Sequence, residues 1–128
     1  MKKQLMTHMV YGYPNADESR KIFDVLDKYS KYIEVQFPFS DPLADWPVIE
    51  KANEIALKAG STTKSAFEFV EDVCKTAKSK VLIMTYYNIA FNYWVEEFVK
   101  KAKVIWLSGF IILYIPFYED DGEKWLKL

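Results

Sequence analysis

The feature that most restricts this chain is an alternation repeated four times: a short β-like run, then a stripe of apolar residues at helical spacing. Leu5 to Tyr11 is the first run, closed by Gly12-Tyr13-Pro14. Asn15 can then cap a helix whose apolar residues Ile22, Val25, Leu26 and Tyr29 fall at i, i+3, i+4 and i+7. In the second run, Tyr32 to Phe37, the residues Ile33, Val35 and Phe37 point one way and Tyr32, Glu34 and Gln36 the other. Glu34 is therefore expected to face away from the helices. Val48, Ala52, Ile55, Ala56 and Ala59 predict a helix stopping at Gly60. Thr62 or Thr63 caps the next one, with Phe67, Val70, Val73, Cys74 and Ala77 on its buried face. Val81 to Thr85 is the third strand, and its helix is expected over about Tyr93 to Lys103, burying Val95, Phe98, Val99 and Ala102. Phe110 to Ile115 is the fourth strand, apolar enough for both faces to be covered, and a last helix is expected over about Asp120 to Leu128.

Alternating β and α segments predict a parallel sheet with right-handed crossovers. Four units in 128 residues are about 32 residues each, and eight at that pitch would give the roughly 250 residues of a (β/α)8 barrel. The expected fold class is α/β, a parallel sheet of four βα units forming half of such a barrel, and residues 1–128 are expected to make one (βα)4 half-barrel domain.

Charge and cysteine content narrow the partners. Seventeen Lys and Arg against eighteen Asp and Glu leave a formal net charge of −1, which gives no field to draw nucleic acid or anionic lipid. No nucleic acid and no membrane are expected as partners; the longest apolar stretch, Phe110 to Phe117, falls far short of the roughly 20 residues that span a bilayer. The N-terminus has a basic start but no long apolar stretch, so no signal peptide is expected. One cysteine, Cys74, offers no internal disulfide and no zinc framework, which fits a reducing cytoplasm. Cys74 is read as core packing, and His8, the single histidine, as a hydrogen-bonded sheet residue and not a metal ligand. No metal site, phosphate loop or nucleotide fingerprint is found, and no cofactor is expected.

Sites in such folds gather at the carboxyl ends of the strands. There the loop Pro38 to Pro47 brings Asp41 and Asp45 near Glu34, and two carboxylates in different surroundings can divide acid and base roles. On chemistry alone Asp45, ahead of Trp46-Pro47, reads equally as a helix N-cap.

The segment Ile33-Glu34-Val35-Gln36-Phe37-Pro38-Phe39-Ser40-Asp41-Pro42-Leu43-Ala44-Asp45 resembles the signature of the tryptophan synthase α subunit family. Tyr11-Gly12-Tyr13-Pro14, Ala52-Asn53, Ala59-Gly60, Met84-Thr85-Tyr86-Tyr87-Asn88 and Ser108-Gly109-Phe110-Ile111-Ile112 extend the resemblance over nearly the whole chain. That family is a (β/α)8 barrel cleaving indole-3-glycerol phosphate to indole and glyceraldehyde 3-phosphate, and the resemblance covers its N-terminal half. It implies that Glu34 is the general acid–base carboxylate, that Asp45 accepts from the indole N–H, and that Tyr86 lines the substrate pocket. It also implies that the Pro38-to-Pro47 loop and the segment after Asn88 keep a vestige of the surface that meets a β subunit.

Departures from the family pattern are concentrated. Trp46, Trp94 and Trp106 stand where glycine is usual, and Leu113-Tyr114 where Pro-Asp is usual. Bulk added at five positions is expected either to fill the former pocket or to form an interface that rebuilds a closed barrel, since an opened barrel exposes its inner face and two strand edges. The chain is therefore read as an engineered or truncated half-barrel scaffold, self-associating as a homodimer and lacking full catalytic activity, with Glu34 and Asp45 vestigial. The alternative is an indole-3-glycerol-phosphate lyase of tryptophan biosynthesis, active as a dimer-completed barrel.

Overall fold

The computed structural model describes residues 3–116. Its elements follow the order β1 (Met6–Val10), α1 (Ala16–Tyr29), β2 (Tyr32–Gln36), α2 (Pro47–Lys58), α3 (Thr63–Cys74), β3 (Lys80–Tyr86), α4 (Tyr87–Asn92), α5 (Val95–Val104) and β4 (Gly109–Leu113). The helix expected over about Asp120 to Leu128 lies outside the described residues.

The strands form one sheet in the order β1-β2-β3-β4, with parallel pairing throughout. His8 is the partner of Glu34 across β1 and β2, Glu34 of Leu82 across β2 and β3, and Tyr86 of Leu113 across β3 and β4. This register puts Ile33, Val35 and Phe37 under the helices, where all three are fully buried, and leaves Glu34 on the opposite face, as the alternation predicts.

The core between sheet and helices joins Ile33, Val35, Phe37 and Ile83 to Phe23 of α1, Phe67 and Val70 of α3 and Phe98 of α5. Phe37 meets Phe67 edge-on at 5.0 Å, and Phe67 meets Phe98 at 4.8 Å. Each such side chain contributes about 1.5–3 kcal/mol by burial, plus a smaller increment from ring geometry.

Caps set the helix starts. Asn15 accepts from the Glu18 N–H at 3.0 Å to open α1, and Thr62 and Ser65 form a reciprocal capping box at α3, worth about 1 kcal/mol per cap. Gly12 turns the chain after β1 with φ +81°; a Cβ there would fall 1.8 Å from Ser61 Oγ, so glycine is required.

Several expectations are corrected. Val25, Tyr29 and Val48 are exposed, because α1 turns Phe23 and Ser19 inward and α2 its Ala52, Asn53 and Ala56. The helix expected over about Tyr93 to Lys103 is α5, and a short helix that was not expected, α4, precedes it: α4 closes through Trp94 N–H to Phe91 O, and Trp94 takes a left-handed backbone before α5 begins at Val95. The residues of α4 are too few for a periodic stripe to be visible. The fourth strand is only half-buried along its length, because β4 is an edge strand among the described residues, paired on one side alone.

Candidate functional site

The site forms where β2 and β3 end. Glu34 sits on the inner sheet face beside His8. Burial raises its carboxyl above the usual glutamate value; the charge of His8 opposes this, and the charge of Asp45 adds to it. A carboxyl with a raised pKa can carry a proton nearer neutrality, as a general acid must.

Asp45 lies in the loop ahead of α2. It does not cap that helix: the N-cap position belongs to Trp46, without a side-chain bond. The carboxylate is instead held by two amides, with Gln36 Nε2 donating to Oδ2 at 2.7 Å and Asn53 Nδ2 donating to the same oxygen at 3.4 Å. Tyr86, at the end of β3, accepts from the Ala44 N–H at 3.1 Å and lies beside Asp45. Desolvation is the main cause that pushes its phenol up to about 12, with the Asp45 charge adding to it. Its ring stacks on Phe39 at 4.9 Å. Phe39, Leu43, Tyr86 and Tyr114, with Asp41 and Asn88, line a cavity of about 300 Å³. Glu34, Asp45 and Tyr86 are thus brought to one end of the sheet, a carboxyl with a raised pKa near an anchored carboxylate and an aromatic wall.

The bulky residues expected to fill the former pocket do not do so. Trp46, Trp94 and Trp106 are 81%, 78% and 88% exposed, so within this chain none fills a pocket. Trp94 and Trp106 have φ of 67° and 61°, the left-handed backbone that glycine adopts without strain, so the glycine expected at these positions has a backbone reason and not a space-filling one. Leu113 is half-buried in β4, and Tyr114, with φ 61° and a mostly exposed side chain, approaches the Tyr86 ring at 5.9 Å.

Gln36 and Asn53, both fully buried, are site residues that reading the sequence for carboxylates missed. The signal for Gln36 was present, since it follows Glu34 by two on the same strand face. Among the described residues no cluster of three or more His, Cys, Asp or Glu could hold a metal, and no helix is long and apolar enough to cross a membrane.

A sequence profile of the tryptophan synthase alpha chain family matches residues 1–125. The tryptophan synthase alpha chain of Methanococcus vannielii is 41% identical over 118 residues, spanning 92% of this chain and 46% of that relative. The one from Syntrophotalea carbinolica is 42% identical, spanning 91% and 47%. Among solved structures, a tryptophan synthase from M. tuberculosis superposes with a TM-score of 0.88 at 29% identity over 97% of this chain and 49% of that one. A tryptophan synthase complex from Pyrococcus furiosus gives 0.88 at 27%, over 97% and 50%. The chain spans about half the length of the relatives it matches.

Proposed function

The chain belongs to the tryptophan synthase alpha chain family, and from that premise we propose that it is a (βα)4 half-barrel scaffold, engineered or truncated, carrying the indole-side half of the family's site without sustaining the full lyase reaction. Asp45 accepts an indole N–H, Glu34 stands in the acid–base place, and Tyr86 walls the pocket. The observation that carries this reading is the anchoring of Asp45 by Gln36 at 2.7 Å beside Tyr86, which lines the cavity: a carboxylate already held in place is prepared to take a further donor.

Turnover asks for more. In barrels of this kind the phosphate is gripped by loops of the seventh and eighth units; whichever chain supplies them, these 128 residues do not hold them. Without that remote binding energy the substrate is not positioned, and positioning accounts for several kcal/mol of a barrier. The test is indole release from indole-3-glycerol phosphate, wild type against Glu34→Gln. No Glu34-dependent turnover is expected from the chain alone; robust Glu34-dependent turnover would overturn the scaffold reading in favour of a dimer-completed lyase.

The half-buried β4 and the exposed Met6 and His8 of β1 support self-association as a homodimer, in which β4 of one copy lies parallel to β1 of the other and eight strands close. The exposed Trp46, Trp94 and Trp106 then belong to surfaces open to a second chain, and the Pro38-to-Pro47 loop to a remnant β-subunit surface. Cytoplasmic placement accords with the lone Cys74. Light scattering should return twice the mass of one chain, and a strict monomer would remove the closure.

A further inference from the structure

We propose that Gln36 is the positioning residue of the Asp45 carboxylate, with its amide aimed by His8. This rests on the reading that Asp45 accepts an aromatic N–H.

Gln36 is fully buried at the last position of β2, where a primary amide must find partners for both its oxygen and its nitrogen. Which end points where follows from two backbone groups. The Phe39 N–H donates to Asn53 Oδ1 at 2.9 Å, which fixes that atom as oxygen, and Asn53 Nδ2 donates to Ile49 O at 2.9 Å. With Asn53 so oriented, Gln36 Nε2 donates to Asp45 Oδ2 at 2.7 Å and approaches Asn53 Oδ1 at 3.5 Å. Gln36 Oε1 then meets His8 Nε2 at 2.8 Å, and because that oxygen only accepts, His8 Nε2 must carry the hydrogen. Reversing the amide would set Oε1 against a carboxylate. The chain therefore has one polarity: His8 donates to Gln36, and Gln36 donates to Asp45.

Both amides, one from β2 and one from α2, converge on Oδ2, so the carboxylate is held through one oxygen and Oδ1 takes neither of them. His8 is exposed on the inner face, so its tautomer reports the state of the relay without burial of its own.

The experiment titrates the intact chain with indole and with 1-methylindole, which lacks the N–H, and reads the His8 tautomer by long-range 1H–15N NMR. The wild type should prefer indole by about tenfold, the size of one hydrogen bond to a charged acceptor, and should hold His8 as the Nε2–H form. Gln36→Leu should lose both, with an unchanged circular dichroism spectrum. Preference and tautomer both retained in Gln36→Leu would overturn the proposal while leaving Asp45 as acceptor; a wild type without preference would overturn the acceptor reading and the proposal with it. Should Gln36→Leu not fold, His8→Phe, at an exposed position, decides: a weakened preference supports the relay, and an undiminished one overturns it.

Discussion

Trp94 and Trp106 stand at opposite ends of α5, and both hold a left-handed backbone, with φ of 67° and 61°. Their side chains are 78% and 88% exposed, so little burial offsets the conformational cost. For a residue with a Cβ that cost is about 1–2 kcal/mol; glycine avoids it but loses roughly 0.5–1 kcal/mol through the freedom it gains when unfolded.

Trp94→Gly and Trp106→Gly should therefore each stabilise the chain by about 0.5–1 kcal/mol, raising Tm by roughly 3 °C per site. Trp94→Ala keeps the Cβ and should gain much less. Calorimetry of the three variants checks this; equal Tm for the glycine and alanine variants at 94 would remove strain as the explanation.

That pair also marks where sequence reading stops. The four βα units, the parallel order and the face of Glu34 are legible because strand and helix periods differ and Ile33, Val35 and Phe37 alternate with Tyr32, Glu34 and Gln36. The caps at Asn15 and Thr62 are legible because their chemistry is local. Backbone sign at Trp94 is not: bulk at a glycine position suggests filled space, whereas the structure shows a turn that needs φ above zero. The anchoring of Asp45 was hidden for a related reason. Asn53 is eight residues from Asp45 in sequence, and only the entry of α2 brings its amide back to the loop.

Asp27 joins α1 to the turn before β3. Its carboxylate accepts from the Ser79 N–H at 2.8 Å and from the Lys78 N–H at 3.0 Å. Partial burial pushes the carboxyl up, yet the hydrogen bonds from Ser79 and Lys78 outweigh it and hold the group below the usual aspartate value. Asp27→Ala should cost about 2 kcal/mol, from bonds of roughly 1 kcal/mol or more each. A urea midpoint within error of wild type would contradict this. Since the folded carboxyl titrates below the unfolded one, its contribution is present above pH 3.8 and lost as pH falls further.

Cys74 packs half-buried on the core side of α3, and desolvation pushes its thiol up to about 11. The thiolate is the reactive form, so at pH 8 the native chain should alkylate with iodoacetamide about a hundredfold more slowly than the urea-unfolded chain. Equal rates would show that α3 leaves Cys74 open. Cys74→Ala should leave indole binding unchanged, because the thiol lies under α3, away from Asp45 and Tyr86.

Glu34 has the opposite linkage to Asp27. Burial, with a further push from Asp45 and against the charge of His8, raises its folded pKa above the ordinary 4.5 of a glutamate, so between the two values the folded chain binds the extra proton. The contribution of this group is fully present below about pH 4.5 and is lost as pH rises through the folded value. Wild-type stability should fall on raising pH across that window, and Glu34→Gln, which cannot ionise, should flatten the fall and be the more stable variant at pH 7. Urea midpoints from pH 4 to pH 8 for the two proteins check the sign. Parallel curves would mean that Glu34 is as well solvated in the folded chain as in the unfolded one, and the inner face would then offer no environment to hold a general acid protonated.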